Sequence, residues 1–223
     1  MSVASEQVRP QPLRLALLIS GRGSNAMAIL GAVASGKLSG CEVGVVVSNI
    51  TGAPGIEAAK AAGVPVITLE GRGLDQRDHE EAVTALLRKF RIDLVCVAGY
   101  RRTLSASFAL EWSGRILNLH ASLLPAFPGH DPALQAFESG AQITGCTVFF
   151  VGETSTGPIV LQRALEIYGE DTHQTLSDRL RALQPELYLE AIERVIGGEY
   201  EARGKRYVRR HQAADESQQQ RQG

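Results

Sequence analysis

Apolar residues fall in two rhythms along the chain. Short, nearly unbroken runs at 13–19, 43–47, 66–69, 94–98 and 116–119 have the length and branched content of strands buried on both faces. Between them, apolar positions recur at helical spacing: Met27, Ile29, Leu30 and Val33 within 25–34, then 54–62, then Val83, Leu86, Leu87 and Phe90 within 75–90, then Phe108 and Leu110 within 104–111. The punctuation agrees with this division. Pro54 suits a first helical position, Gly63 accepts a left-handed helix end, and Pro65 can precede a strand without occupying its interior. Strands alternating with helices predict right-handed crossovers and a mostly parallel sheet. Ligands of such sheets bind beyond the carboxyl ends of the strands, so chemistry is expected in residues 20–25, 99–103 and the segment after Asn118.

The second half changes character. A short helix is expected at 132–139, and the runs 144–151 and 159–167 read as antiparallel neighbours that complete a mixed sheet. Thr172 caps a last helix whose apolar series is Leu176, Leu180, Leu183, Leu187 and Ile192. Pro185 is expected to kink that helix, Gly197-Gly198 to end it, and 205–209 to add a terminal edge strand. The result is one α/β domain over 13–210 with two lobes, 13–119 and 120–210. A polar arm at 1–12 and a Gln-rich tail at 211–223 are expected to be disordered.

Composition narrows the function. The 223 residues are 44% hydrophobic and 21% charged with a net charge of -1, an ordinary globular balance without the basic excess that points to nucleic acid. No apolar run approaches the ~20 residues that span a bilayer, and the leader is too polar for a signal peptide. Cys41, Cys96 and Cys146 are too scattered for a disulfide framework or a zinc cluster, and no histidine spacing fits a metal. A reducing cytoplasmic setting, no metal and no membrane are therefore expected. His79, among Arg77, Asp78, Glu80 and Glu81, is expected to face solvent.

Two stretches carry candidate chemistry. Ser20-Gly-Arg-Gly-Ser-Asn25 joins a strand to a helix; its glycines permit a tight turn and the helix start presents N–H groups to an anion such as a terminal phosphate. It matches neither the P-loop nor the dinucleotide glycine pattern, so a plain tight turn is the competing reading. Asn118 and His120 stand two apart at a strand end, hence on one face. An amide NH2 beside an imidazole suits a carbonyl that becomes an oxyanion, with the ring relaying a proton. The alternative is an Asn and a His that only satisfy nearby turn backbone.

These residues belong to longer motifs. Asn118-Leu-His-Ala-Ser-Leu-Leu-Pro-Ala-Phe-Pro-Gly129, Ile19-Ser-Gly-Arg-Gly-Ser-Asn25, Val47-Ser-Asn49, Val97-Ala-Gly-Tyr100, Gly145-Cys-Thr-Val148 and Thr156-Gly-Pro-Ile-Val160 run through residues 13–189. With them the chain resembles the folate-dependent phosphoribosylglycinamide formyltransferases of purine biosynthesis. The resemblance implies a formyltransferase fold, with a Rossmann-like, mostly parallel sheet in the N-terminal lobe continued by a mixed C-terminal lobe. It also implies transfer of a formyl group from the cosubstrate 10-formyltetrahydrofolate to the amine of 5-phosphoribosylglycinamide, without a metal. A weak homodimer is one expected state. By the same resemblance Arg22, Gly23, Ser24, Asn25 and Gln184 face the phosphorylated acceptor. Val97, Ala98, Gly99, Tyr100, Arg102, Asp131 and Val151 face the folate. Asn118 and His120 stabilise the tetrahedral oxyanion.

The chain departs from the family pattern at the loop 151–158, where the family's catalytic Asp position holds Ser155. A hydroxyl cannot replace a carboxylate's charge beside a histidine. Glu153 or Asp131 is the expected substitute. Gln184-Pro185 stands where Glu-His is usual, and Phe149 where a His is common. Two other readings therefore accompany the first: an enzyme of this fold acting on another phosphorylated amine or sugar nucleotide, and a catalytically weakened binding relative.

Overall fold

The computed structural model describes residues 11–153 and 156–210. The expectations for the N-terminal arm, the C-terminal tail and Ser155 fall on residues 1–10, 211–223 and 155, outside the described residues.

The chain runs β1 (Leu13–Ile19), α1 (Ser24–Ala34), β2 (Cys41–Ser48), α2 (Pro54–Ala61), β3 (Val66–Thr68), α3 (Gln76–Lys89), β4 (Leu94–Val97), α4 (Ala106–Glu111) and β5 (Ile116–His120). It continues through α5 (Pro132–Glu138), β6 (Ile143–Phe150), β7 (Ile159–Glu166), α6 (His173–Ile196), β8 (Tyr200–Arg203) and β9 (Arg206–Arg209). The nine strands of the described residues join one sheet in the order β3-β2-β1-β4-β5-β6-β7-β9-β8. Pairing is parallel from β3 to β5 and antiparallel at β5–β6 and β6–β7. Strand order reverses between β1 and β4, which opens the crevice beyond their carboxyl ends. A division at 119/120 passes inside β5, so the two expected lobes share one continuous sheet.

The period-two geometry of the buried strands builds two cores. Leu15, Leu17 and Ile19 of β1 pack with α1, α2 and α6 on one face, while Ala16 and Leu18 pack with α3 and α4 on the other. In β5, Leu117 joins the first core and Ile116 the second. Asn118 and His120 thus continue the face of Ile116 beyond the part that its core covers.

Three expectations change. His79 is 1% exposed, because Asp75 caps α3 and sets His79 one turn before Val83 and two before Leu87 on the buried stripe. Arg77, Asp78 and Glu81 are exposed, whereas Glu80 is buried beside His79 and accepts from Ser105 N at 2.8 Å. α6 runs unbroken across Pro185, its capping box at Thr172 and its buried face of Leu176, Leu180, Leu187 and Tyr188 holding it to the sheet. The terminal strand is not an edge: Gly204, at φ 59°, turns the chain so that β9 lies between β7 and β8, and Tyr207 stacks between Phe150 and Tyr200.

Candidate active site

The loop between β1 and α1 is a close-packed backbone turn. Gly23 sits before α1 at φ 65°, a conformation that suits glycine, and no side chain caps the helix. The N–H groups of the first turn therefore remain open to an anion. α2 crosses directly behind: Gly55 N donates to the Gly21 carbonyl at 3.1 Å. Asn25 is buried, its Nδ2 donating to Gln184 Oε1 at 3.3 Å, and its Oδ1 has no hydrogen-bond partner. A buried amide oxygen without a partner is costly, and a ligand donor at this loop would satisfy it. Arg22 and Ser24 are exposed at the rim. Four of the five residues expected at the acceptor site are thus contiguous, and the fifth, Gln184, reaches them from α6.

A second space, about 1040 Å³, opens between the segments following β4 and β5. Val97, Tyr100, Arg102 and Val151 of the expected folate set line it, together with Leu104 and Asn118. Sequence reasoning missed Arg101, Thr103 and Leu104 there, although all three fall within or beside the loop after β4 that the strand-end rule singles out. His130 also lines the cleft. Two guanidinium groups and no carboxylate among the lining residues favour an anionic ligand, and the apolar Val97, Leu104 and Val151 favour a flat ring beside it.

The segment from Tyr100 to Ser105 is held from behind. Arg102 Nη1 donates to the Gly71 carbonyl at 2.6 Å, and His79 Nε2 lies 2.6 Å from the Tyr100 hydroxyl. Burial, then the Arg102 charge, lowers the His79 pKa against the opposing pull of Glu80, so the imidazole stays neutral. Burial pushes the Tyr100 phenol up to about 12.

Asn118 stands at the inner end of the cleft. Its Oδ1 accepts from the Leu119 backbone N–H at 2.9 Å, which fixes the amide's orientation and leaves the NH2 as the end available to a ligand. His120 Nε2 lies 2.9 Å from the Phe127 carbonyl, so that nitrogen carries the proton and Nδ1 keeps a lone pair. Behind this loop Thr147 donates to the Ser122 carbonyl at 2.7 Å and accepts from Leu124 N at 3.0 Å and Gln162 Nε2 at 2.9 Å. That buried network sets the path of the chain from His120 to Phe127.

Other expected residues lie apart. Ala98 turns into the core under α1 and α6, and Gly99 contributes backbone. Asp131 caps α5 through Leu134 N at 3.2 Å and meets His173 Nε2 at 3.1 Å, and these two bonds, His173 first, lower its pKa. It does not line the cleft. Glu153 is exposed beside the undescribed 154–155. Phe149 is buried in the second core, paired across β5–β6 with Asn118. Among the described residues no group of His, Cys, Asp and Glu is arranged to hold a metal ion, and no helix is long and apolar enough to cross a membrane.

This geometry has close relatives. The family model for formyl transferase matches residues 13–192. The glycinamide ribonucleotide transformylase 1 structure from Symbiobacterium toebii superposes with a TM-score of 0.87 at 35% identity, covering 93% of this chain and all (100%) of that one. The phosphoribosylglycinamide formyltransferase of Bacillus subtilis is 34% identical over 186 residues, 82% of this chain and 95% of that protein. The human trifunctional purine biosynthetic protein adenosine-3 is 37% identical over 187 residues, but the chain spans only 18% of its length. The family model over residues 13–192 and the relatives matched along nearly their full length show that the chain belongs to the formyl transferase family.

Proposed function

We propose that the chain transfers a formyl group from 10-formyltetrahydrofolate to the amine of 5-phosphoribosylglycinamide. The observation that carries this reading is the position of Asn118, whose free NH2 lines the cleft beyond β4 and β5 while the phosphate-type loop ends the adjacent strand β1. The acceptor phosphate sits on the α1 N-terminus at Gly23, Ser24 and Asn25. The folate lies against Val97, Tyr100, Arg102 and Val151. The amine lone pair attacks the formyl carbon, a C–N bond forms, and the carbonyl oxygen becomes an oxyanion held by the Asn118 NH2. His120 takes the proton from the attacking amine on Nδ1 and passes it to the folate nitrogen as the old C–N bond breaks. In its protonated form the ring is a second donor near the oxyanion. Glu153 is assigned the charge that Ser155 lacks. Phosphorylated acceptor and folate are the partners, the setting is cytoplasmic, and no nucleic acid is involved.

The test is direct: purified protein, 10-formyltetrahydrofolate and 5-phosphoribosylglycinamide, with formylated product and tetrahydrofolate followed together. Formyl transfer to a different phosphorylated amine, with none to this one, would replace the acceptor assignment. Tight binding of both ligands without turnover would favour the weakened-relative reading raised by Ser155.

A further inference from the structure

The first turns of α3 brace the wall of the donor cleft from behind. Gln76 Nε2 donates to the Thr103 carbonyl at 3.0 Å, Glu80 accepts from Ser105 N at 2.8 Å, and His79 Nε2 meets the Tyr100 hydroxyl at 2.6 Å. The first two contacts engage backbone, as helix caps and loop anchors commonly do. The third engages a side chain that itself lines the cleft. His79 is also an expensive residue to keep on this stripe. It is 1% exposed, and its Nδ1 is buried with no hydrogen-bond partner. A phenyl ring beside Val83 and Leu87 would fill similar volume with no polar atom to desolvate. What an imidazole adds there is the bond from Nε2 to the Tyr100 hydroxyl, reinforced by near-parallel rings at an interplanar angle of 18°.

We propose that His79 is a positioning residue for the formyl donor: it holds the Tyr100 ring as a preset wall of the cleft, so that the donor binds without first ordering that side chain. The proposal rests on the donor-site reading of the cleft. His79→Phe keeps the packing and deletes the bond. It is expected to raise the donor KM about five- to ten-fold, the loss of one neutral hydrogen bond, with the acceptor KM and kcat within about two-fold. Tyr100→Phe should do the same, and the double variant should lose no more than either single one. His79→Gln, which presents an amide nitrogen at similar reach, should recover most of the donor affinity. A purely structural role would lower Tm and weaken both substrates alike. An unchanged donor KM in folded His79→Phe, additive losses in the double variant, or equal losses for donor and acceptor would each overturn the proposal. If the wild type formylates no acceptor, the proposed reaction fails. The clamp is then read from tetrahydrofolate affinity by calorimetry, where a matching loss in His79→Phe supports it and an unchanged affinity overturns it. A wild type that binds no tetrahydrofolate overturns both readings.

Discussion

Replacing Asn118 by Asp isolates one atom of the candidate site. The Asn118 Oδ1 accepts from Leu119 N at 2.9 Å, and Asp offers an oxygen in the same place, so the local turn survives. What changes is the other end, where NH2 becomes a carboxylate oxygen facing the cleft. Removing an oxyanion donor costs about 2.7–4 kcal/mol of transition-state stabilisation, or about 10²–10³ in kcat. A negative charge there repels the developing oxyanion, so Asn118→Asp is expected to fall at least that far. Asn118→Ala also deletes the donor, and in addition orphans the Leu119 N–H. That adds about 1 kcal/mol of lost stability, a Tm drop of about 2–4 °C for a chain of this size. The assay is steady-state kinetics with each substrate varied, beside thermal unfolding of both variants. The expected pattern is a large fall in kcat for both, KM values within about three-fold for Ala, and a Tm drop confined to Ala. An Asn118→Asp enzyme within ten-fold of wild-type kcat would refute the oxyanion role. So would losses that track Tm.

Gly55→Ala places a methyl 3.1 Å and 3.2 Å from the Gly21 and Arg22 carbonyl oxygens and 3.0 Å from Ile19 Cδ1, so the turn before α1 must shift. Acceptor KM should rise more than donor KM, with about 1–3 kcal/mol of stability lost, read by kinetics and urea unfolding. Glu153→Gln should cut kcat strongly if that carboxylate closes onto His120, while Ser155→Asp then gives little gain. A fully active Glu153→Gln with an unchanged pH profile of kcat/KM removes Glu153 from the mechanism. Burial pushes the Cys41 thiol to about 11 and Cys146 to about 12, and Cys96 higher still, so little thiolate forms at pH 8. A thiol reagent should label the native chain slowly and the urea-unfolded chain at once; rapid native labelling contradicts that burial.

Where one physical rule dominated, the sequence was readable. The run Leu13–Ile19 alternates between two cores, so every residue is apolar and the strand is plain. Asn118 and His120 share a face because period two leaves no other choice. Ser105, Asp131 and Thr172 are short polar side chains that cap helices, but only Thr172 stood out, since it precedes a long apolar series whereas α4 and α5 are only six and seven residues long. His79 was misread because its four charged neighbours outweighed a single i, i+4 relation to Val83. The hairpin β8–β9 has no apolar periodicity to announce it; its place depends on Tyr207, stacked on Tyr200, finding Phe150 across 57 positions of chain. The engagement of Asp131 with His173 is likewise a long-range contact, 42 positions apart, which no local pattern encodes.

The loops beyond β1 and β4 are sewn to each other. Ser20 N donates to the Gly99 carbonyl at 3.1 Å, and Ser20 Oγ accepts from Arg101 N at 2.8 Å while donating to Asn49 Oδ1 at 2.5 Å. Ser20 itself is 3% exposed, so this seam is shielded from water and does not loosen cheaply. A ligand that stills the backbone beyond β1 therefore also stills the backbone beyond β4, and the second ligand meets a loop that has already lost part of its freedom. On the proposed reading, donor and acceptor are cooperative in binding, each raising the affinity of the other by the same factor, since the coupling free energy belongs to the pair. Such a pair favours the ternary complex over either binary one. The formyl group is thereby exposed chiefly when an amine is present to receive it rather than water.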